Sequence, residues 1–271
     1  MGRRFRLTVA YDGSGFHGFA EHEGVRTVMG DLRAAMERVL QVPMPLVGAG
    51  RTDAGVHAWG QVVSGDVPDG MDDAGLADLE RRLNKMLGPE IAVRDGAFTA
   101  DPEFSARFSA TYRHYRYLVH NAPVHHPLLA RTAWHIRQPL ALWAMNLACD
   151  PIIGEHDFST FCRRPKPVEG QQPVSLVRRI ISAEWFEVPS QVPGDLPGLL
   201  RFEIRATAFC HQMVRSLVGT MVDVGLGRLH AGEMRGMLLR RDRAAAGQVA
   251  PPHGLMLWEV GYSDADGGPS R

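Results

Sequence analysis

Apolar residues in the first hundred positions recur at two periods in turn, every second residue and then every three to four, and few architectures accept that alternation. Phe5, Leu7 and Val9 alternate with Arg6, Thr8 and Ala10 ahead of the turn residues Asp12-Gly13-Ser14-Gly15, which predicts a strand with one half-buried face. After a loop, Thr27 is placed to cap a helix on which Val28, Leu32, Ala35, Met36, Val39 and Leu40 share a face until Pro43 stops it. Extended segments follow at Met44 to Ala49 and His57 to Val67. A second helical pattern, Asp73 to Leu87, carries Leu76, Leu79, Leu83 and Leu87, and Ile91 to Phe98 is extended again. Strand, helix, strand, strand, helix, strand is the order of an α+β layer with helices packed on one sheet face.

A second set begins with the alternating Tyr112 to His120 and continues through a helical Leu140 to Cys149 and extended runs at Val174 to Val188 and Leu199 to Ala208. It closes with a long helix on which Phe209, Met213, Leu217, Met221 and Val224 share one face up to Gly225, where glycine ends it. The coarse order thus occurs twice without a residue-level repeat, and the chain divides into halves at 1–108 and 109–271. Pro189 to Gly198 reads as a hairpin connection and Ser263 to Arg271 as a disordered tail.

At 271 residues and 45% apolar content, the chain can bury one large or two medium cores. Its 30 basic and 30 acidic residues balance, so a polyanionic partner must be met by local clustering rather than by a global field. Lys85 and Lys166 are the only lysines; the arginine excess fits either coding bias or the use of guanidinium for base stacking and bidentate phosphate contacts. Cys149, Cys162 and Cys210 are odd in number, widely spaced and without a Cys-x-x-Cys pair, which predicts reduced thiols in a cytoplasmic protein. No apolar run of signal-peptide length follows Met1-Gly2-Arg3-Arg4, and no segment reaches the ~20 apolar residues of a membrane span, so neither export nor anchoring is expected.

The apolar run ending Leu46-Val47-Gly48-Ala49 breaks at Gly50-Arg51-Thr52-Asp53-Ala54-Gly55-Val56-His57, a glycine-bounded turn whose polar residues no core position asks for. An exposed aspartate, with a reference pKa of ~3.9, is ionised at neutral pH. Burial raises a carboxyl pKa by up to ~3 to 5 units, and a close cation lowers it by ~1 to 3. A site that encloses its substrate and uses a carboxylate nucleophile therefore needs a cationic neighbour, which Arg51 or another arginine supplies. The same residues equally make an ion pair that fixes a glycine turn.

Phe104 to Tyr117 interleaves Arg107, Arg113 and Arg116 with Phe108, Tyr112 and Tyr115. Such a surface suits RNA, with arginine on phosphates and rings on unstacked bases at ~1 to 3 kcal/mol per base. It equally suits a strand with tyrosines on one face and solvated arginines on the other. The twelve histidines, His125-His126 among them, lack ligand spacing, and no metal is expected. Arg163-Arg164-Pro165-Lys166, Arg178-Arg179 and Arg240-Arg241-Asp242-Arg243 are either phosphate contacts or solvated surface.

Together with Tyr11-Asp12-Gly13-Ser14-Gly15-Phe16-His17-Gly18, Gly154 to Phe161, Ala208 to Thr220 and Ala250 to Leu255, these two segments resemble the TruA family of tRNA pseudouridine synthases over nearly the whole chain. The resemblance implies the pseudouridine synthase fold: two similar α+β halves sharing a mostly antiparallel central sheet with helices on one side. It implies that Asp53 is catalytic with Arg215 as its ion-pair partner, that Tyr115 packs against the target base, and that Arg51 and His211 touch RNA. It further implies a tRNA substrate modified in the anticodon stem-loop, typically at positions 38, 39 and 40, a homodimer, and no metal or other cofactor. Phe19-Ala20 stands where Trp-Gln is common, Met29 where glutamine is usual, and Gln212 for the second histidine of His-His-Met. These departures bear on RNA positioning rather than on catalysis. Two other classes remain: an RNA-binding or RNA-folding module that kept the surface without catalysis, and a metal-dependent hydrolase sensitive to chelator.

Overall fold

The alternation at the start of the chain is met by β1 (Arg3–Tyr11), whose Phe5, Leu7 and Val9 are fully buried. The structure is a computed structural model and describes residues 2–164, 170, 174–189 and 198–263. Pro165 and Lys166, most of the expected hairpin connection after Pro189, and the expected tail beyond Ser263 lie outside the described residues. The rest is an α+β protein with a mixed, mostly antiparallel sheet of ten strands and with five α-helices, as expected. It divides into two compact units, one of residues up to Arg113 together with those from Met256 on, the other His114–Leu255.

In the first unit, Thr27 caps α1 (Val28–Leu40) by accepting a hydrogen bond from the Gly30 amide at 3.2 Å, and Gln41, in the left-handed region at φ 56°, ends it. Asp72 caps α2 (Asp73–Leu87) from the Gly75 amide at 2.8 Å. Leu76, Leu79 and Leu83 bury the apolar stripe of α2. Asn84 exchanges two 2.8 Å hydrogen bonds with the Val93 backbone, which ties α2 to β4 (Ile91–Phe98). The strand order is β4, β1, β3 (His57–Val67), β10 (Leu255–Gly261), with the short β2 (Val47–Gly48) also on β3. β1 is antiparallel to both neighbours, whereas β10 runs parallel to β3. Grouping by chain order leaves this last strand with the residues before it; its pairing puts it beside β3.

The second unit has the order β5 (Tyr112–Asn121), β9 (Leu199–Ala206), β8 (Val177–Glu187), β7 (Gly154–Asp157), with β6 (Trp134–Ile136) parallel to β5. Asn146 of α3 (Leu142–Leu147) donates to the Trp185 carbonyl at 3.0 Å and accepts from the Trp185 amide at 2.8 Å. The helix α4 (Met213–Gly225) is buried on almost every side and is followed by α5 (Glu233–Arg240). It starts four residues later than the apolar periodicity predicts, because Gln212 adopts φ 62° and cannot continue a right-handed helix. Phe209 therefore lies in the approach to the helix and not on its face.

Cys162 and Cys210 form a disulfide with Cα atoms 5.8 Å apart, which corrects the expectation of three reduced thiols. Their separation of 48 residues carried no hint of the contact, which the fold of the second unit creates. Cys149 is the free thiol; burial pushes its pKa up to about 12, with Asp150 and Glu184 adding to the shift.

Candidate functional site

Asp53 is half-buried in the turn that precedes β3, between an exposed Arg51 and the buried Val56. The residues around it hold the turn. The fully buried Gln61 donates to the Gly50 carbonyl at 2.9 Å and accepts from the Gly50 amide at 3.3 Å. Arg113 donates to the Ala49 carbonyl at 3.0 Å. Thr52, also buried, shares a 2.8 Å hydrogen bond with the Tyr11 hydroxyl, and its carbonyl accepts from the Phe19 amide at 3.1 Å. The Val56 amide closes the turn on the Asp53 carbonyl at 3.2 Å, with Gly55 at φ 76°. Two glycines of the loop after β1 press against this turn. A side chain on Gly13 would overlap the Val56 carbonyl, and one on Gly18, at φ 103°, would sit 3.0 Å from the Thr52 oxygen. Sequence reasoning picked out Asp53 and Arg51 and quoted Tyr11, Thr52 and Arg113 within motifs, but it missed Gln61 and the bracing role of all four. A glutamine followed by Val62 and Val63 in a strand was the available signal, since buried polar groups are there to be bonded.

In the second unit, Tyr115 of β5 is 8% exposed and meets the Phe209 ring edge-on, centroids 5.1 Å apart at 88°. Arg215, third residue of α4, donates through Nε to the Ala250 carbonyl at 2.8 Å, while its own carbonyl accepts from the Ala250 amide at 3.0 Å. One residue on, Pro251 accepts from the Tyr117 hydroxyl at 2.9 Å. Burial pushes the Tyr117 pKa well above the usual tyrosine range, against the opposing charge of Arg215, so this phenol stays a neutral donor. His211 is exposed at the surface, and its carbonyl accepts from the Arg163 amide at 2.9 Å beside the Cys162–Cys210 bridge. The structure thus places Asp53 and Arg51 in the first unit and Tyr115, His211 and Arg215 in the second.

The aromatic and basic run from Phe104 to Tyr117 departs from the strand reading: only Tyr112 to Tyr117 lies in β5, and Arg113 is bonded to backbone carbonyls and not solvated. Phe104 and Tyr117 are fully buried, Tyr112 donates to Glu259 at 2.7 Å, and Arg116 pairs with Glu203 at 3.0 Å. Phe108 alone among these rings is largely exposed, with the Arg107 guanidinium 5.2 Å from its centroid. Phe19 and Met29 are buried, and Phe19 stacks on Tyr11 at 5.9 Å, so these two departures are packed inside and not at the surface. Arg243, read as a phosphate contact or solvated surface, is neither: it donates to the Ser216 hydroxyl at 2.8 Å and the Thr160 carbonyl at 3.3 Å. Arg178 likewise turns onto the Ser175 carbonyl at 2.9 Å, and burial lowers its pKa. Arg241 lies 3.2 Å from Asp157. Among the described residues no three His, Cys, Asp or Glu side chains are grouped to hold a metal ion, and no helix is long and apolar enough to cross a membrane.

A half-buried carboxylate on a braced turn can act as a nucleophile, and a helix-borne arginine with one nitrogen fixed to backbone can act as an oriented cation. Known proteins are similar to this chain along nearly its whole length. A family model described as tRNA pseudouridine synthase matches residues 148–263. The chain is 41% identical to the tRNA pseudouridine synthase A of Frankia casuarinae over 96% of this chain and 89% of that one. It is 38% identical to that of Methylacidiphilum infernorum over 95% of each chain, and 36% identical to that of Bacillus subtilis over 96% of this chain and all of the relative.

Proposed function

The chain belongs to the tRNA pseudouridine synthase A family and is an isomerase, and from that premise we propose that it converts uridine to pseudouridine in the anticodon stem-loop of tRNA, typically at positions 38, 39 and 40, with Asp53 as nucleophile. The observation that carries this reading is the Asp53 turn: a half-buried carboxylate on a turn held by bonds around it, in a segment that resembles the family.

The reaction breaks the bond between uracil N1 and ribose C1′ and joins C5 to C1′ instead. The base loses a proton from C5 and gains one at N1, so atoms and electrons balance without an oxidant or reductant. Attack of the carboxylate on C6, attack on C1′ and assistance to a glycal intermediate all need Asp53 ionised. Arg215 is the cation that offsets the cost of enclosing that charge. The target uridine must leave the base stack to be reached, and Tyr115 offers a ring for it to pack against. Arg51 and His211, both exposed, contact the RNA backbone around it. On this reading the half at 1–108 carries the nucleophile, the half at 109–271 completes the site, and the enzyme works in the cytoplasm. It acts as a homodimer, which lets a chain of zero formal charge assemble a positive groove from arginines of two subunits. Sedimentation at micromolar concentration tests the dimer, and a monomeric mass overturns it.

Wild type and Asp53→Asn are to be incubated with unmodified tRNA and pseudouridine mapped by nucleotide. Product in the anticodon arm from wild type, with turnover at least ~10⁴-fold lower in the variant and tRNA binding retained, is the expected result. Binding without product on every tRNA tried makes the protein an RNA-binding module instead.

A further inference from the structure

On the first unit's sheet, the face turned away from α2 carries an exposed aromatic stack that core packing does not require. Trp59 of β3 and Trp258 of β10 are stacked with ring centroids 6.1 Å apart and planes 22° apart. The Arg94 guanidinium lies over Trp59, 4.3 Å from the ring centroid, and donates to the Trp59 carbonyl at 2.6 Å. Trp59 is nonetheless 50% exposed.

Two strand irregularities build this stack. Along β1 and β4, Arg6 faces Ala97 but Thr8 faces Arg94, so β4 holds one extra residue, and Asp95 accommodates it at φ 55°. In an unbroken ladder Arg94 would face Val9 and point to the α2 side; the bulge moves it to the face of Thr8. Along β1 and β3, Val9 faces Gln61 but Tyr11 faces Ala58, which puts an extra residue on β3 around Trp59 and Gly60. A Cβ on Gly60 would overlap the Trp258 carbonyl, so glycine is what lets β10 approach. The parallel register of Leu257 with Ala58 then sets Trp258 beside Trp59.

We propose that Trp59, Trp258 and Arg94 form a stacking platform for an unpaired nucleobase of the RNA, a subsite separate from the one that takes the target uridine. Indole rings backed by a planar guanidinium bind unstacked bases without reading their edges. Asp95, 3.4 Å from Arg94 Nε, is well solvated and offsets that charge only in part. Trp59 lies six positions after Asp53, a span of at most ~20 Å even if fully extended, so a base on the platform lies near the reacting one. The platform rests on the reading that RNA is bound at the Asp53 turn.

Trp59→Ala, Trp258→Ala, Trp59→Leu, Trp59→Phe and Arg94→Lys are to be compared with wild type for kcat and KM on an unmodified tRNA transcript, and for the Kd of an oligouridylate of about twelve nucleotides. The alanine variants and Trp59→Leu, which keeps apolar bulk without a π face, are expected to raise KM and Kd by roughly 5- to 150-fold while kcat holds. Trp59→Phe recovers most of the binding, and Arg94→Lys, with charge but no planar group, falls between. Wild-type KM and Kd in folded Trp59→Leu and Trp258→Ala overturn the platform and leave the pair as packing, while the synthase reading stands. A wild type that makes no pseudouridine, yet loses oligouridylate binding in these variants, sinks the synthase reading and keeps the platform.

Discussion

The Asp53 turn and the start of α4 each hold a charged residue by bonds to main chain, but from different sources. Around Asp53, the bracing comes from several elements: the Thr52 carbonyl and hydroxyl, the Gly50 amide and carbonyl held by Gln61, the Asp53 carbonyl that accepts from Val56, and the loop glycines pressed against Val56 and Thr52. At α4, Arg215 exchanges bonds with Ala250 through both its side chain and its carbonyl. A guanidinium carries five donors in a fixed fork and can commit one to anchoring while the plane stays aimed.

The sharpest break of that comparison is at the close-packed glycines. Gly13→Ala meets the Val56 carbonyl and Gly219→Ala meets the Gln248 carbonyl, and each is expected to cost about 2 to 4 kcal/mol, a Tm fall of roughly 4 to 16 °C by calorimetry. A Gly13→Ala protein with wild-type Tm and turnover would mean that the Asp53 turn tolerates what the α4 region does not. Next comes the Cys162–Cys210 bridge, which exists only on the α4 side. Unreduced, denatured protein should show one titratable thiol, and Cys210→Ser should lose up to ~4 kcal/mol, given a closed loop of 48 residues. Three thiols would restore the reduced state expected from the sequence.

A matched pair of hydroxyl deletions sharpens the contrast. Tyr117→Phe leaves the Pro251 carbonyl without its donor and is expected to cost about 1 to 3 kcal/mol, with kcat falling more than KM changes because the segment that holds Arg215 shifts. Tyr11→Phe removes the Thr52 bond and should cost about 1 kcal/mol, with the Asp53 turn kept by its backbone bonds. The smallest effect is a control outside both regions. The Ser159 hydroxyl and amide, helped by Arg241, hold the Asp157 carboxyl below its usual range despite partial burial. A lowered folded pKa gives stability that is present above the unfolded value of about 3.9 and is lost as pH falls through the folded one. Ser159→Ala should therefore differ from wild type by about 0.5 to 1.5 kcal/mol at pH 7 in urea titrations, with the difference shrinking below about pH 4.

The sequence was most readable where one face of an element is buried and the other wet. β1, α1, β3, α2 and β4 all stand where periodicity put them, because Leu7, Leu32, Val63, Leu79 and Val93 report the core directly. β6 and β7, at three and four residues, are too short to show a period. The apolar spacing of Phe209 and Met213 mimicked one helix because periodicity does not register the left-handed Gln212 between them. Asp53 was legible as part of a contiguous polar interruption, while its braces at Tyr11 and Arg113 lie 42 and 60 positions away and had no pattern to reveal them. The platform at Trp59 stayed hidden for a related reason: strict alternation turns Arg94 to the wrong side, and only the bulge at Asp95 corrects it.

The parallel seat of β10 on β3 also sets a clock for biogenesis. The first unit needs residues from Met256 on, yet the whole His114–Leu255 stretch is synthesised in between. At ~5 to 20 residues per second the nascent chain spends roughly 7 to 30 s with the His57–Ala58 end of the β3 edge waiting for β10 on the ribosome, long enough for the intervening unit to fold first. A bare strand edge is an invitation to wrong partners over that interval, so β10 acts as a closing latch delivered only after the whole intervening unit has been made.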